Sequence, residues 1–225
     1  MESRKNRDWF GYLMNFVAVC LGIVITFAGQ GLINRHAERN EVKSSLILVK
    51  NELQDNLSYI EFADSVLTNY SAAAQFLIRY EGHYADAPQD SMAVYCNVPL
   101  TVFEITHSEE ALELLKNSNL FTKIKDHGLS LEIIHTYGAI ADEMTLVKFY
   151  NEHKNDFLEE AMTGDVKEVL SRDSITAEQL WSAITASREG KQFLRELSRL
   201  QMLHDSSNVK ATIANAIASI DKYIQ

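Results

Sequence analysis

Twenty-six consecutive residues without a formal charge, Trp9 to Asn34, lead directly into a charged segment with seven-residue spacing. A helix rises ~1.5 Å per residue, so this run spans roughly 39 Å, enough to cross a ~30 Å hydrocarbon core with some tilt. Its centre, Leu13–Phe27, reads LMNFVAVCLGIVITF, with one amide at Asn15. Trp9 and Tyr12 stand where aromatic rings favour the headgroup layer. A buried helix of a water-soluble protein is the competing reading, but the run is apolar on every face and begins close behind Arg4, Lys5 and Arg7.

A cleaved signal peptide is the stronger rival. Against it stand an apolar stretch longer than the usual ~7–15 residues and the absence of an Ala-x-Ala site after it. Cys20 is preceded by Val19, where a lipoprotein site needs a small residue. The sequence therefore predicts an uncleaved anchor: a basic tail over 1–8, a transmembrane helix over 9–34 and a soluble helical bundle over 35–225. Each flank has three basic residues, and the first is denser. That asymmetry favours the N-terminus inside and the C-terminal domain outside, periplasmic on a bacterial inner membrane.

Past Arg35 the chain carries 17 Lys and Arg against 29 Asp and Glu. Such an acidic balance excludes nucleic acid as a partner, since phosphate binding needs a basic stripe. The two cysteines, Cys20 and Cys96, fall in different compartments and cannot pair within one chain. Cys96 reads as a small buried apolar residue or an unpaired thiol. Two prolines and nine glycines suit an all-α protein.

From Leu46 two interleaved series define a helix seam: Leu46, Leu53, Ile60, Leu67, Ala74 and Val49, Asn56, Ala63, Tyr70, Leu77. The alternating three-and-four spacing predicts packing with a slight left-handed twist, on later helices of the same chain or on a second subunit in a coiled coil. One helix is expected from Trp9 to Gly82, or two with a hinge near Gly29–Gly31. Residues 83–105 hold both prolines and lack helical periodicity. Met92–Ile105, rich in β-branched and aromatic residues, reads as a short hairpin or an extended wrap, and long loops often carry specificity. Further helices are expected from Ser108 to Asn117, from Gly128 to Thr163, around 166–170, from a capped start at Thr176, and from Lys191 onward with an interruption at Asp205–Asn208. Together these predict an antiparallel bundle.

Two passages resemble a family of uncharacterised bacterial single-pass membrane proteins, a domain of unknown function. Leu21–Leu57 runs from an apolar span with glycine and glutamine into a charged helix of the leucine, two polar, glutamate-leucine kind. Ala111–Ile140 is similar to the family's LKSSGNLxLIKDxxLxxxIxxYY stretch. Leu115, Lys116, Ser118, Asn119, Leu120, Ile124, Lys125, Asp126, Leu129, Ile133 or Ile134, and Tyr137 match. The family's glycine is absent here, so this turn is built differently. The resemblance implies a single-pass anchor and no activity.

Motifs for chemistry are sparse. Glu132 and His135 form the one Glu-x-x-His pair inside a stretch with helical periodicity, and a di-iron bundle needs two such pairs on helices. The histidines lack metal-ligand spacing, Gly190-Lys191 is followed by Gln, and no Walker, nucleophile-elbow or dinucleotide motif occurs. Asn117, Asn119 and Lys123 line either a small pocket or a packed corner. No catalytic, cofactor or metal residue is assigned. In the membrane run, Ala18, Gly22, Thr26 and Gln30 share one face, a spacing that lets helices approach closely and bond across the contact. The expectation is a non-enzymatic, membrane-anchored interaction or scaffold protein that meets the lipid bilayer and a second copy or a membrane-protein partner. The alternative is a sensor-like bundle that binds a small molecule and signals through a partner.

Overall fold

A computed structural model describes residues 2–103, 106–162, 165–203 and 205–225. At 2–15, 24, 25, 27–29, 31–33, 157, 161, 165, 170 and 201–203 only the backbone is described. Eight α-helices order as α1 (Glu2–Arg79), α2 (Gln89–Tyr95), α3 (Glu110–Asn117), α4 (His127–Ala161), α5 (Asp165–Leu170), α6 (Ala177–Ala186), α7 (Arg188–Leu203) and α8 (Ser207–Ile224). No strand occurs among the described residues.

The first helix is unbroken for 78 residues, through Gly29 and Gly31, so there is no hinge there. It stops short of Gly82, whose φ of +80° reverses the chain at no steric cost. All ten expected seam residues are buried. They are covered by α3, α4, α7 and α8 of the same chain, so the seam serves the fold and is not a contact between subunits.

Side-chain contacts fix the directions. Helices α7 and α8 run antiparallel to α1: Lys43 Nζ donates to the Ile224 carbonyl (2.5 Å), Lys50 pairs with Asp221 (2.8 Å), and Ser71 Oγ donates to the Ser198 carbonyl (2.8 Å). Helix α4 runs parallel to α1, with Tyr137 beside Glu52 and Lys154 beside Tyr70. The expected bundle is therefore not antiparallel throughout. Residues 84–103 and 106–126 return along α1 in the opposite direction, with Thr101 at Tyr70, Ser108 at Asn56 and Lys123 at Glu38, and this return is what lets two long helices point the same way.

The hairpin expected within 83–105 is corrected. That segment contains α2 and two 3-10 turns, Tyr84–Asp86 and Val98–Leu100. Met92, Cys96 and Pro99 are buried at four- and three-residue spacing, the helical period, and this burial overrides the β-branched composition. The Trp181 indole donates to the Cys96 carbonyl (2.9 Å), which ties the segment to α6. Cys96 is buried, and burial pushes its thiol above the ordinary value, as an apolar core residue requires.

Two cores stack along the bundle. One centres on Leu46, Leu53, Ile133, Ile140, Ile213 and Ile220, the other on Tyr70, Leu77, Trp181, Phe193 and Leu197. The interruption expected at Asp205–Asn208 is a true break between α7 and α8 and falls where the two cores meet. Asp64 of α1 holds it, accepting from Ser206 Oγ (2.5 Å) and from Lys210 Nζ. Asn119 turns the chain at the α3 corner. Its φ of +59° is a left-handed conformation that asparagine tolerates better than most residues.

Thr176 forms the expected capping box with Gln179. The next helix, α7, starts at Arg188 rather than Lys191, because Ser187 Oγ accepts from the Gly190 N–H (2.9 Å) and caps it early. Gly190 has no room for a side chain: a Cβ there would lie 1.8 Å from the Ile184 carbonyl oxygen, a backbone atom. Gly190→Ala is accordingly expected to cost about 3 kcal/mol in a urea titration, since helix α6 or α7 must move. Unchanged stability would show that the α6–α7 corner is not packed in this way.

Candidate functional site

Three buried polar side chains, Glu52, Asn56 and Lys154, meet the returning segment where it crosses α1 and α4. The segment's stretches 101–103 and 106–109 have neither helix nor ladder and must find other partners for their peptide groups, since an unpaired buried one costs ~1–3 kcal/mol. Asn56, on the seam of α1, meets both needs of Ser108: its Nδ2 donates to the Ser108 carbonyl (2.8 Å) and its Oδ1 accepts the Ser108 N–H (2.9 Å). One turn earlier, Glu52 is 8% exposed. Its Oε2 accepts from Ser108 Oγ (2.7 Å) and from the Ala111 N–H (2.9 Å), while Oε1 accepts from the Tyr137 hydroxyl (2.5 Å). Helix α3 is thus capped by a carboxylate from another helix, where negative charge complements its dipole.

Burial pushes the Glu52 carboxyl up, but the bonds from Tyr137, Ala111, Ser108 and Leu112 together outweigh that, and the group stays below the usual carboxylate range. Burial, then the Glu52 bond and charge, push the Tyr137 hydroxyl far above its ordinary value. A tyrosine on a buried carboxylate resembles acid–base machinery. Here both carboxylate oxygens are occupied by the protein, so the cluster works as a fastener.

Farther along, Lys154 is 3% exposed. Its ammonium lies 4.3 Å from the centre of the Tyr70 ring and donates to the Tyr70 hydroxyl (3.0 Å) and to the Thr101 carbonyl. Tyr70 donates to the same carbonyl (2.7 Å). Asn151 donates to the Phe103 carbonyl, and the Phe103 ring packs on Tyr70 at 5.7 Å between centroids. No carboxylate bonds this ammonium among the described residues, and burial pulls its pKa down to about 8.

Two concavities flank this region. A cavity of about 160 Å³ lies between α4 and α7, walled by Phe149, Tyr150, His153, Phe193, Leu197 and the Lys154 stem. That is below the ~300–1,000 Å³ typical of ligand pockets. An open cleft of about 520 Å³ at the start of α4 includes Asp126, Glu132, Lys222 and Tyr223. Glu132 lies in that cleft, while His135 is exposed. No cluster of three or more His, Cys, Asp or Glu suited to a metal occurs among the described residues. Asn117 and Asn119 are exposed, and Lys123 pairs with Glu38 (3.0 Å), so these three form a corner and not a pocket.

On the first helix, Ala18, Gly22, Thr26 and Gln30 are all exposed. Thr26 Oγ1 donates to the Gly22 carbonyl of its own helix (2.8 Å), and nothing lies within 4 Å of a Cβ built at Gly22. Among the described residues no helix is long and apolar enough to cross a membrane. Much of the span expected over 9–34 falls on side chains outside the described residues.

Sequence reading missed Glu52, Tyr137 and Lys154 as a set. A signal was present: the α4 series Ile133, Ile140, Val147 continues to Lys154, and Tyr137, Met144 continues to Asn151. Seam positions turn polar where they face peptide groups rather than side chains.

Two outcomes follow for folding. Asn56→Ala leaves two peptide groups of Ser108 without partners and is expected to cost about 2–3 kcal/mol in urea. Lys154→Met keeps the Tyr70 bond to Thr101 and removes a buried charge, whose shift from 10.5 to about 8 amounts to roughly 3 kcal/mol at pH 7. The folded state binds fewer protons at this site, so it adds stability as pH rises from 8 toward 10.5; the raised Cys96 thiol opposes above about pH 9 and the raised tyrosines above about pH 10. Urea midpoints of the parent should therefore climb between about pH 8 and 9, whereas those of Lys154→Met should stay flat there and fall beyond it. Compared with family models, with curated proteins and with solved structures, the chain matches none.

Proposed function

We infer that this chain is a non-enzymatic, single-pass membrane protein that presents a helical bundle at the bacterial inner membrane and acts by holding a protein partner there. The observation that carries this reading is the continuity of α1. One helix passes without a break from the uncharged run into the bundle seam. Residues from Phe16 to Ala37 whose side chains are described are exposed, so this stretch of helix stands clear of the bundle, and Glu38, paired with Lys123, is where the two are tied. An apolar arm of ~39 Å projecting from a packed domain is suited to lipid. The resemblance to single-pass proteins over Leu21–Leu57 and Ala111–Ile140 points the same way. The denser basic flank favours the bundle on the outer, periplasmic side.

The bonds of Asn56, Glu52 and Lys154 to Ser108, Ala111 and Thr101 support a holding role over a chemical one, because they fasten the chain's own backbone. A partner surface is available on α4, where Leu131, Ile134, Leu146 and Phe149 are exposed on the side away from the core. The alternative reading, a small-molecule sensor, is supported by the cavity between α4 and α7 alone.

Alkaline carbonate extraction of cell envelopes is expected to leave the chain in the pellet. A chain released to the supernatant would end the anchored reading. A phosphatase fused after Gln225 should be active, and a cytoplasm-dependent reporter at the same place silent; the reverse pattern would invert the topology.

A further inference from the structure

The exposed side of α1 continues the membrane-run face into water. At 100° per residue, Ser44, Leu48, Asn51, Asp55, Ser58 and Phe62 fall within ~80° of arc on the side that carries Gly22 and Gln30. All six are exposed, Leu48 at 48% and Phe62 at 54%. Ala37 and Asn40 join the two stretches and are also exposed. In a chain with 23% charged residues, Asp55 is the single charge on this arc between Gly22 and Phe62.

We propose that this face of α1 pairs, in parallel and in register, with the same face of a second copy of the chain. The proposal rests on the anchored reading, which sets both copies upright in one bilayer. Three observations select a second copy as the occupant. The face runs for ~60 Å along one straight helix from the lipid segment to Phe62, and a partner that follows it must itself be a long helix leaving the membrane in the same direction. The chain carries a net charge of −10, so two copies repel over most of their surfaces and approach most cheaply where charge is missing. The polar groups of the face can be covered without loss: Thr26 and Ser58 already donate to the Gly22 and Gln54 carbonyls of their own helix, and Gln30 and Asn51 each meet their own counterpart as an amide pair. Such pairs fix register in parallel helices. Asp55 meeting Asp55 is the one unfavourable contact and tunes the strength of the pair.

Single cysteines placed at Ser44, Asn51 and Ser58, and at the off-face exposed residues Arg39 and Thr68, test this in the full-length chain. Cys20→Ser serves as background, and Cys96 stays in place because it is buried. Mild oxidation of whole cells should give covalent dimers at the three face positions, roughly fivefold or more above the two controls, because a disulfide needs Cα atoms within ~7 Å. Asp55→Asn should raise the yield at Asn51→Cys's neighbour Ser58→Cys, and Asn51→Lys should lower it by a similar factor. A yield equal at all five positions, or absent at all five, overturns the pairing. Carbonate extraction of the same cells separates the two readings. Retention with a flat pattern removes the second copy and leaves the anchor; release with the periodic pattern removes the anchor and leaves the pairing.

Discussion

A stretch of backbone with no helix or ladder of its own lies against two long helices, and most of this architecture follows from how its peptide groups are satisfied. Thr101, Phe103 and Ser108 present carbonyls to α1 and α4. Left unpaired, each would cost as much as a large share of a domain's net stability of ~5–15 kcal/mol. Asn56, Glu52, Tyr70, Tyr137, Asn151 and Lys154 are the answer, and they come from two helices that must therefore sit at a fixed height relative to each other. The polar groups set the register of α4 on α1, while the apolar seam sets only the distance between them. Lys154 shows how strong the requirement is. An ammonium that no carboxylate bonds among the described residues is held between a ring and two oxygens, the Tyr70 hydroxyl and the Thr101 carbonyl, with burial pulling its pKa down.

The all-α class, the seam of α1, the capping box at Thr176 and an interruption after α7 were legible in the sequence, because each rests on local spacing, whereas a break rather than a kink there, and a corner rather than a pocket at Asn117–Asn119, were settled by packing. Ten seam positions chosen by three-and-four alternation are all buried. The parallel course of α4 was not legible. Nothing in the pattern of α4 records which way it runs beside α1; that depends on a return segment whose own periodicity is weak. Its β-branched residues suggested pairing with a strand, whereas burial of Met92, Cys96 and Pro99 at helical spacing decided the matter. The polar cluster was visible only as isolated anomalies, such as an asparagine in a leucine series, and became a site once α4 was placed.

Helix α1 divides its faces within one unbroken element. Its inner face is filled by the chain's own helices, and its outer face is left exposed among the described residues. The seam builds the domain, and the small-residue face, read from the same helix, takes no part in that packing.

The bond from Lys43 to the carbonyl of Ile224 joins residues 181 positions apart. At ~5–20 residues per second of synthesis, the lower half of the α1 seam emerges roughly 9–36 s before the helix that covers it. Helices α3 and α4 reach the row Leu46, Val49, Leu53 and Ile60 earlier, and until α8 arrives the row is only partly covered. Assembly of this protein is therefore a problem of timing, which a holding chaperone would ease.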